Sequence, residues 1–268
     1  MTPFIFFGTD EFAVKVLAEL KSQNLVPEQI MTTEGKGSRR GESLISPVET
    51  WAKENQVLFS YDLKSGNYDL FIVASYGKIL TKEILALPKH GTLNIHPSIL
   101  PKYRGATPLQ SAILNGDTET GVSIMLLDEE MDHGQILISK TYPLTPKTSF
   151  VLLRNELARL GAQALIEILP DYLAGEIKPT EQNHSAATYT KKITKGLGQL
   201  NLADSPELND RKIRALNPNP GTYFVDENSK RVKVLAAHIE EGKLIFDRIV
   251  PEGRKEMTWE SYLRGLTK

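Results

Sequence analysis

The feature that most constrains the fold is a run of five consecutive apolar residues, Leu70–Ala74. A strand without polar alternation is typical of the interior of a parallel sheet that helices cover on both faces. The chain opens with a related unit, in which an apolar run at residues 4–7 is followed by a turn at Gly8 and by helical spacing over residues 11–20. Such alternation, which continues to about residue 175, predicts an open, mostly parallel sheet of the α/β class.

Other segments of this part show the periodicity of strands or helices. Helix starts are marked by capping residues, as at Ser46, which precedes a proline and an acidic first turn. The long helix contains Pro170, which predicts a kink or an end there. The predicted strands lie at residues 30–33, 92–96, 121–127 and 135–142, and the predicted helices at 46–55, 79–87, 108–115 and 150–173.

The pattern changes after a polar stretch at residues 175–190. A short helix is predicted at 208–216, and three strands separated by hairpin signals are predicted at 222–225, 231–237 and 243–249. We therefore predict three segments. Residues 1–175 form a Rossmann-like domain, residues 176–194 a linker, and residues 195–268 a small, β-rich, OB-like domain.

Composition excludes several classes of site. The chain has no cysteine, so a disulfide framework, a thiolate nucleophile and a zinc ribbon are excluded. The N-terminus has no basic start, and no segment approaches the roughly 20 apolar residues that span a bilayer. These features predict a cytoplasmic protein without membrane association.

Charge is distributed unevenly, although the whole chain carries only −1. Residues 191–268 contain 15 Lys and Arg against 11 Asp and Glu, whereas residues 1–190 contain 17 against 22. A basic C-terminal part favours a polyanionic partner, but chance produces such differences in many two-domain proteins. Charge alone leaves both interpretations open.

One strand end combines an amide and an imidazole. Asn94 and His96 are two residues apart on the strand predicted at 92–96, so both project from the same face. Pro97 places His96 at the end of the strand, and ligands of open α/β sheets bind at the carboxyl ends of strands. Asn94 can donate to a developing oxyanion, and His96 can do the same or handle a proton. Taken alone, an Asn on a strand more often serves a neighbouring turn, and a His before a proline is more often a satisfied polar residue at a strand end.

A carboxylate and a basic loop add two further candidates. Asp132 lies in an acidic loop between two predicted strands, where it could orient His96 or accept a proton, although most such residues are only solvated. Lys36, Arg39 and Arg40 lie among glycines at residues 35–41, where a flexible loop can reach phosphates. The alternative is an ordinary solvated loop. Dinucleotide binding at Gly8 is not expected, because the second glycine of the fingerprint is missing.

The longest motif reads Asn-x-His-x-Ser-x-Leu-Pro-x-Tyr-Arg-Gly at residues 94–105. Gly-Val-Ser-Ile-Met follows at 121–125 and Met-Asp-His-Gly at 131–134. Together these segments resemble the 10-formyltetrahydrofolate-dependent formyltransferases, and the resemblance extends to about residue 265.

The resemblance implies an enzyme that moves a formyl group from 10-formyltetrahydrofolate to the α-amine of methionine on the initiator tRNA, without a metal and as a monomer. Asn94 and His96 would stabilise the oxyanion, while Asp132 would hold His96 and help to move the proton. The basic loop would contact the acceptor arm of the tRNA. The residues expected to hold the folate are Ser98, Ile99, Leu100, Pro101, Ala74, Tyr76 and Gly77.

Two alternatives remain beside this reading. One is a sugar-nucleotide N-formyltransferase, against which the basic loop and the segment at 214–218 argue. The other is a degenerate homologue that only binds RNA, against which the intact Asn94, His96 and Asp132 argue.

Overall fold

The chain divides into two compact units that alternate along the sequence. The computed structural model describes residues 2–35, 38–39, 42–43, 45–64 and 66–266. The first unit comprises residues 1–105, 120–142 and 154–189, and the second comprises residues 106–119, 143–153 and 190–268. The segment boundaries expected at 175 and 194 remain predictions of the sequence.

Seven strands of the first unit form one sheet, and two further strands form a separate ribbon. The strands are β1 (Phe4–Gly8), β2 (Gln29–Met31), β3 (Ser38–Arg39), β4 (Glu42–Ser43), β5 (Phe59–Ser60), β6 (Leu70–Ala74), β7 (Thr92–His96), β8 (Glu119–Leu126) and β9 (Ile136–Pro143).

The sheet has the order β5-β2-β1-β6-β7-β8-β9. Its first five strands are parallel, and β7 pairs with β8 in the antiparallel sense. The buried run of β6 lies between β1 and β7, as a strand without polar alternation requires. The prediction of an α/β class with a mostly parallel sheet is confirmed.

Five helices accompany these strands along the chain, and the first four begin or end at residues suited to those positions. The Asp10 carboxylate accepts from the amide of Phe12 at the start of the first helix, and the Ser46 hydroxyl accepts from the amide of Glu49 in the second. The helices are α1 (Glu11–Ser22), α2 (Pro47–Glu54), α3 (Lys82–Leu85), α4 (Pro108–Asn115) and α5 (Phe150–Leu173).

One predicted helix differs from expectation in its ends. The helix expected over residues 79–87 is only α3, because Thr81 has the extended conformation of an N-cap and the chain before it is not helical. Helix α5 has the bounds predicted for it, residues 150–173, and it does not end at Pro170. None of the helices in the described part of the chain has the length and apolar character needed to cross a bilayer.

Helix α5 packs closely on the sheet through a glycine. A Cβ atom at Gly161 would lie 2.4 Å from Cγ2 of Ile95 and 3.0 Å from Cγ2 of Val122. Ile95 stands between Asn94 and His96 on β7, so this contact supports the strand that carries two of the candidate site residues.

The second unit contains a four-stranded antiparallel sheet in sequential order. Its core is a buried apolar cluster in which the ring of Trp259 packs edge-on against Phe246, with centroids 5.1 Å apart. The predicted β-rich character of the C-terminal part is thereby confirmed, while its closure into an OB-type barrel remains a prediction. The helices and strands that follow residue 200 are α6 (Pro206–Leu216), β10 (Thr222–Val225), β11 (Arg231–Glu240), β12 (Lys243–Pro251), β13 (Met257–Thr258) and α7 (Trp259–Leu266).

Candidate active site

The candidate site lies where β6 and β7 end. These strands are parallel neighbours, with Val73 opposite Asn94, so their carboxyl ends meet at one edge of the sheet. The segments that follow them, residues 75–78 and 97–105, therefore begin side by side. This is the edge at which open α/β sheets bind their ligands.

Asn94, His96 and Asp132 converge at this edge. Nδ2 of Asn94 lies 3.5 Å from Oδ1 of Asp132, and Nδ1 of His96 lies 3.5 Å from the same oxygen. Asn94 and His96 are buried, and Asp132 is partly buried. The structure thus brings together the amide, the imidazole and the carboxylate that sequence reasoning selected.

The backbone around Asp132 holds its carboxylate in place. The amide of Gly105 donates to Oδ2 at 2.7 Å, which leaves Oδ1 facing Asn94 and His96. Asp132 has φ +50°, in the left-handed region that Asp tolerates better than most residues. Gly105 has φ +107°, which favours glycine, so both partners of this bond have unusual backbone conformations.

The contact of the other ring nitrogen of His96, Nε2, determines which nitrogen of the ring carries a proton. Nε2 of His96 lies 3.0 Å from the carbonyl oxygen of Tyr103. Because a carbonyl only accepts, Nε2 must carry a proton, and a neutral ring would then turn the lone pair of Nδ1 towards the Asp132 carboxylate. One additional proton makes this contact attractive. Nδ1 is therefore the ring nitrogen that faces the Asp132 carboxylate.

The segment expected to hold the folate has two inward-facing and two more open residues. The Ser123 hydroxyl donates to the carbonyl of Ser98 at 2.8 Å and accepts from the amide of Leu100 at 3.1 Å. Ser98 and Leu100 are buried, whereas Ile99 and Pro101 are only partly so. Within this segment, Ile99 and Pro101 thus present the side-chain surface that a ligand could touch.

The second expected folate segment follows β6. Ala74 is fully buried, and the ring of Tyr76 packs edge-on against Phe7 with centroids 5.3 Å apart. The amide of Gly77, an exposed residue, donates to the Thr9 hydroxyl at 3.3 Å. Burial, and then the nearby Asp62 carboxylate, raise the pKa of the Tyr76 phenol, so its O–H remains a neutral donor. Assignment of these residues to folate remains a prediction.

Sequence reasoning missed two residues that contact the site from behind. Arg104 and Gln182 are both buried, and the amide of Gln182 donates to the backbone carbonyl of Asp132 at 3.0 Å. Arg104 stood in the recognised motif without an assigned role, and Gln182 stood in a stretch predicted to be a linker. Only the fold brings them together, since 78 positions separate them in the sequence.

Two other expectations concern the basic loop and metal binding. Lys36 and Arg40 lie outside the described residues, and only the backbone of Arg39 is described, so the basic-loop contact remains a prediction. Among the described side chains, no three His, Asp or Glu residues come together in a way that could hold a metal ion.

Comparison with known proteins agrees with the geometry. The family model described as formyl transferase matches residues 10–169, and the model described as formyl transferase, C-terminal domain, matches residues 192–245. The methionyl-tRNA formyltransferase of Carboxydothermus hydrogenoformans is 35% identical over 97% of this chain and 96% of its own length.

Solved structures share the fold at lower identity. The methionyl-tRNA formyltransferase from Clostridium thermocellum has a TM-score of 0.64 at 18% identity, covering 94% of this chain and 99% of that one. An N-formyltransferase from Helicobacter canadensis, in complex with folinic acid and dTDP-3-aminofucose, has a TM-score of 0.65 at 18% identity, covering 96% and 99%. A family model matches over half of the chain, and a relative is about one-third identical over nearly its whole length. The chain therefore belongs to the formyl transferase family.

Proposed function

We propose that the protein transfers the formyl group of 10-formyltetrahydrofolate to the α-amine of methionine on the initiator tRNA. The observation that carries the proposal is the convergence of Asn94, His96 and Asp132 at the strand edge of a chain from this family. Relatives about 35% identical over nearly the whole chain are named for this activity. Such a protein acts in translation initiation, in the cytoplasm, and we expect it to work as a monomer.

The geometry accounts for the chemistry of the transfer. The amine nitrogen attacks the formyl carbon, and the carbonyl oxygen becomes an oxyanion that Asn94 and protonated His96 stabilise. Asp132, held by the Gly105 amide, keeps His96 in place and accepts a proton from the attacking amine. The bond from the formyl carbon to N10 then breaks, the oxyanion becomes a carbonyl again, and N10 leaves with the proton that Asp132 took from the amine. No step in this sequence calls for a metal.

The folate would lie along the edge formed by the two segments that follow β6 and β7. Ile99 and Pro101 offer partly exposed apolar surface on one side. Tyr76 and Gly77 offer a phenol and an accessible backbone on the other. Folinic acid in the Helicobacter canadensis relative supports a folate as the formyl donor here.

A basic groove in the second unit supports a polyanionic acceptor. It has a volume of about 830 Å³ and lies between the start of α5, α6 and the sheet strands β11 and β12. The one acidic residue of its lining, Asp210, is paired with Arg214 at 2.7 Å. The exposed cations that line it are Lys147, Arg231, Lys233 and Arg248. Arg248 also pairs with the Glu256 carboxylate at 2.9 Å, so Lys147, Arg231 and Lys233 are the cations best placed to contact phosphates of the tRNA backbone.

A comparison of two acceptors tests the proposal. The purified protein is incubated with 10-formyltetrahydrofolate and either methionyl initiator tRNA or a dTDP-amino sugar, and formylated product is measured for each. We expect rapid formylation of the tRNA-borne methionine and none of the sugar. Uncharged initiator tRNA with free methionine serves as the control for the need for an ester-linked amino acid.

The other outcomes correspond to the alternatives. Formylation of the amino sugar alone would make the protein a sugar-nucleotide N-formyltransferase; the N-formyltransferase from Helicobacter canadensis, which has the same fold, binds dTDP-3-aminofucose. Binding of tRNA without turnover of either acceptor would make it a binding homologue. Each of these results would replace the proposed function.

A further inference from the structure

Residues at the C-terminal end of the first unit bond to the loops that carry the candidate site. We call residues 180–189 the return segment. Thr180 and Ile136 exchange both backbone hydrogen bonds at 2.8 Å, and Thr188 accepts from the amides of Tyr103 and Arg104, also at 2.8 Å. The return segment is thereby bonded to the loop after β7 and to the first residue of β9, at which the loop that carries Asp132 ends.

Gln182 is the buried side chain that links these loops, with 5% of its surface exposed. Its Nε2 donates to the carbonyl oxygens of Asp132 at 3.0 Å and Gly134 at 2.7 Å. Its Oε1 accepts from Nε and Nη2 of Arg104, at 3.2 and 2.7 Å. Since carbonyls only accept and a guanidinium only donates, the amide has one possible orientation.

Arg104 fixes the other side of this amide. It is 1% exposed, and a buried guanidinium is costly unless its N–H groups are bonded. Besides Gln182, it donates to Nδ1 of His184 at 2.9 Å and to the hydroxyl of Tyr189 at 3.3 Å. These partners all belong to the return segment. The charge of Arg104 therefore holds that segment, and with it Gln182, against the site.

The consequence concerns Asp132, whose positive φ needs support from its surroundings. Gln182 holds the main-chain carbonyl of Asp132, while the amide of Gly105, the residue after Arg104, holds its carboxylate. We propose, on the basis of the function above, that Gln182 and Arg104 are positioning residues that fix the Asp132 carboxylate against His96 and Asn94.

Two substitutions at Gln182 separate positioning from packing. Gln182→Ala removes all four bonds of the amide. Gln182→Glu keeps nearly the same volume and the bond from Arg104, but turns a carboxylate oxygen towards the carbonyls of Asp132 and Gly134. We expect both to lower kcat by about 10- to 100-fold, because misplacing a reacting group by about 1 Å can cost 100-fold. KM for folate and for tRNA should stay within about threefold of the parent value, since Gln182 is buried, with only 5% of its surface exposed.

A matched control and a double substitution complete the kinetic test. Gln135→Ala changes a glutamine beside the same loop that is exposed and donates to Glu181, and kcat should not change. In an Asp132→Ala background, Gln182→Glu should cause no further loss of kcat, because its effect passes through Asp132. A kcat of Gln182→Glu within twofold of the parent, or an additive loss in the Asp132→Ala background, would overturn the proposal.

A crystal structure tests the positioning role without any assay of formyl transfer, and so without knowledge of the acceptor. A crystal structure of Gln182→Glu should show the turn at residues 132–134 displaced, with Asp132 Oδ1 farther than the present 3.5 Å from His96 Nδ1. An unchanged distance would overturn the positioning role even if the protein formylates tRNA. Absence of formylation by the parent protein would instead overturn the proposed function and leave this geometric test standing.

Discussion

The Asp132 carboxylate accepts from the Gly105 amide with one oxygen and faces Asn94 and His96 with the other. At the scale of single residues, this divides the site into groups that would touch the reacting carbonyl and groups that hold them. The first set is Asn94, His96 and Asp132. The second set includes Gly105, Tyr103 and Gln182. Each of their contacts with the site involves a backbone amide or carbonyl, so sequence patterns do not predict them.

Substitution of the three converging side chains tests the first set. We expect Asn94→Ala, His96→Ala and Asp132→Ala each to lower kcat at least about 100-fold, since one oxyanion donor contributes about 2.7–4 kcal/mol to the barrier. The assay is formylation of methionyl initiator tRNA under saturating folate. Urea unfolding of each variant establishes that the fold is intact.

His90→Ala is the matched control for the imidazole. His90 precedes β7 and so lies near the opposite end of the strand from His96. Its removal should leave kcat unchanged. Turnover close to normal in any of the three site variants would remove that residue from the proposed machinery.

At the scale of secondary-structure elements, the close packing of α5 against β7 depends on Gly161. The strand carries Asn94 and His96, and the residue between them, Ile95, fills the space that a side chain at Gly161 would need. The close approach of helix and strand is therefore a condition for the position of both site residues.

Gly161→Ala should destabilise the protein although alanine favours a helix more than glycine does. The new Cβ would lie 2.4 Å from a methyl group of a β-branched residue in the sheet, which has little freedom to move. Overpacking of this kind costs about 1–3 kcal/mol, which outweighs the gain in helix propensity of about 1 kcal/mol at its upper end. Urea denaturation measures the change, and kcat should fall with it.

Gln163→Ala introduces the same residue on the exposed face of α5 and provides the comparison. Its effect should stay within about 0.5 kcal/mol, as for most surface substitutions. An equal or smaller loss of stability for Gly161→Ala would show that the helix has room to shift.

Elements were more predictable than contacts. The apolar run of β6, the strand ending at His96 and the helix between Pro108 and Gly116 follow from local periodicity and capping, because their causes lie within a few residues. The meeting of Asp132 with His96 was expected from the family motif rather than from spacing. The bond of Gln182 with Arg104 could not be expected, since its partners are brought together only by the return of the chain.

For the whole molecule, the distribution of charge has a structural counterpart. Three of the four exposed cations of the groove, Arg231, Lys233 and Arg248, belong to the basic part of the chain after position 190. Arg231 also stacks its guanidinium over the ring of Tyr223, with Cζ 3.5 Å from the ring centroid. This part of the surface is therefore suited to phosphates, as expected for a nucleic-acid acceptor.

Lys147→Ala combined with Lys233→Ala should weaken use of tRNA without affecting chemistry. Each lysine that neutralises a phosphate contributes about 0.7–0.9 to the slope of log affinity against log salt, so the slope should fall by about 1 to 2. KM for tRNA should rise while kcat at saturation stays the same. The measurement is a series of tRNA titrations at increasing salt concentration.

The double variant Lys15→Ala with Lys178→Ala removes the same charge from exposed positions of the first unit and is the control. An equal loss in the control would attribute the effect to net charge rather than to the groove. An unchanged slope in the groove variant would exclude those lysines from phosphate contact.

The path of the return segment also limits how such a protein can be divided or recombined. The last long helix of the first unit, α5, ends at Leu173. The residues that hold Asp132 in place, directly or through Arg104, nevertheless continue to Tyr189. A fragment cut directly after α5 would retain Asn94, His96 and Asp132 but lose Gln182. Exchange of the C-terminal module between relatives should accordingly preserve function only when the junction falls beyond Tyr189.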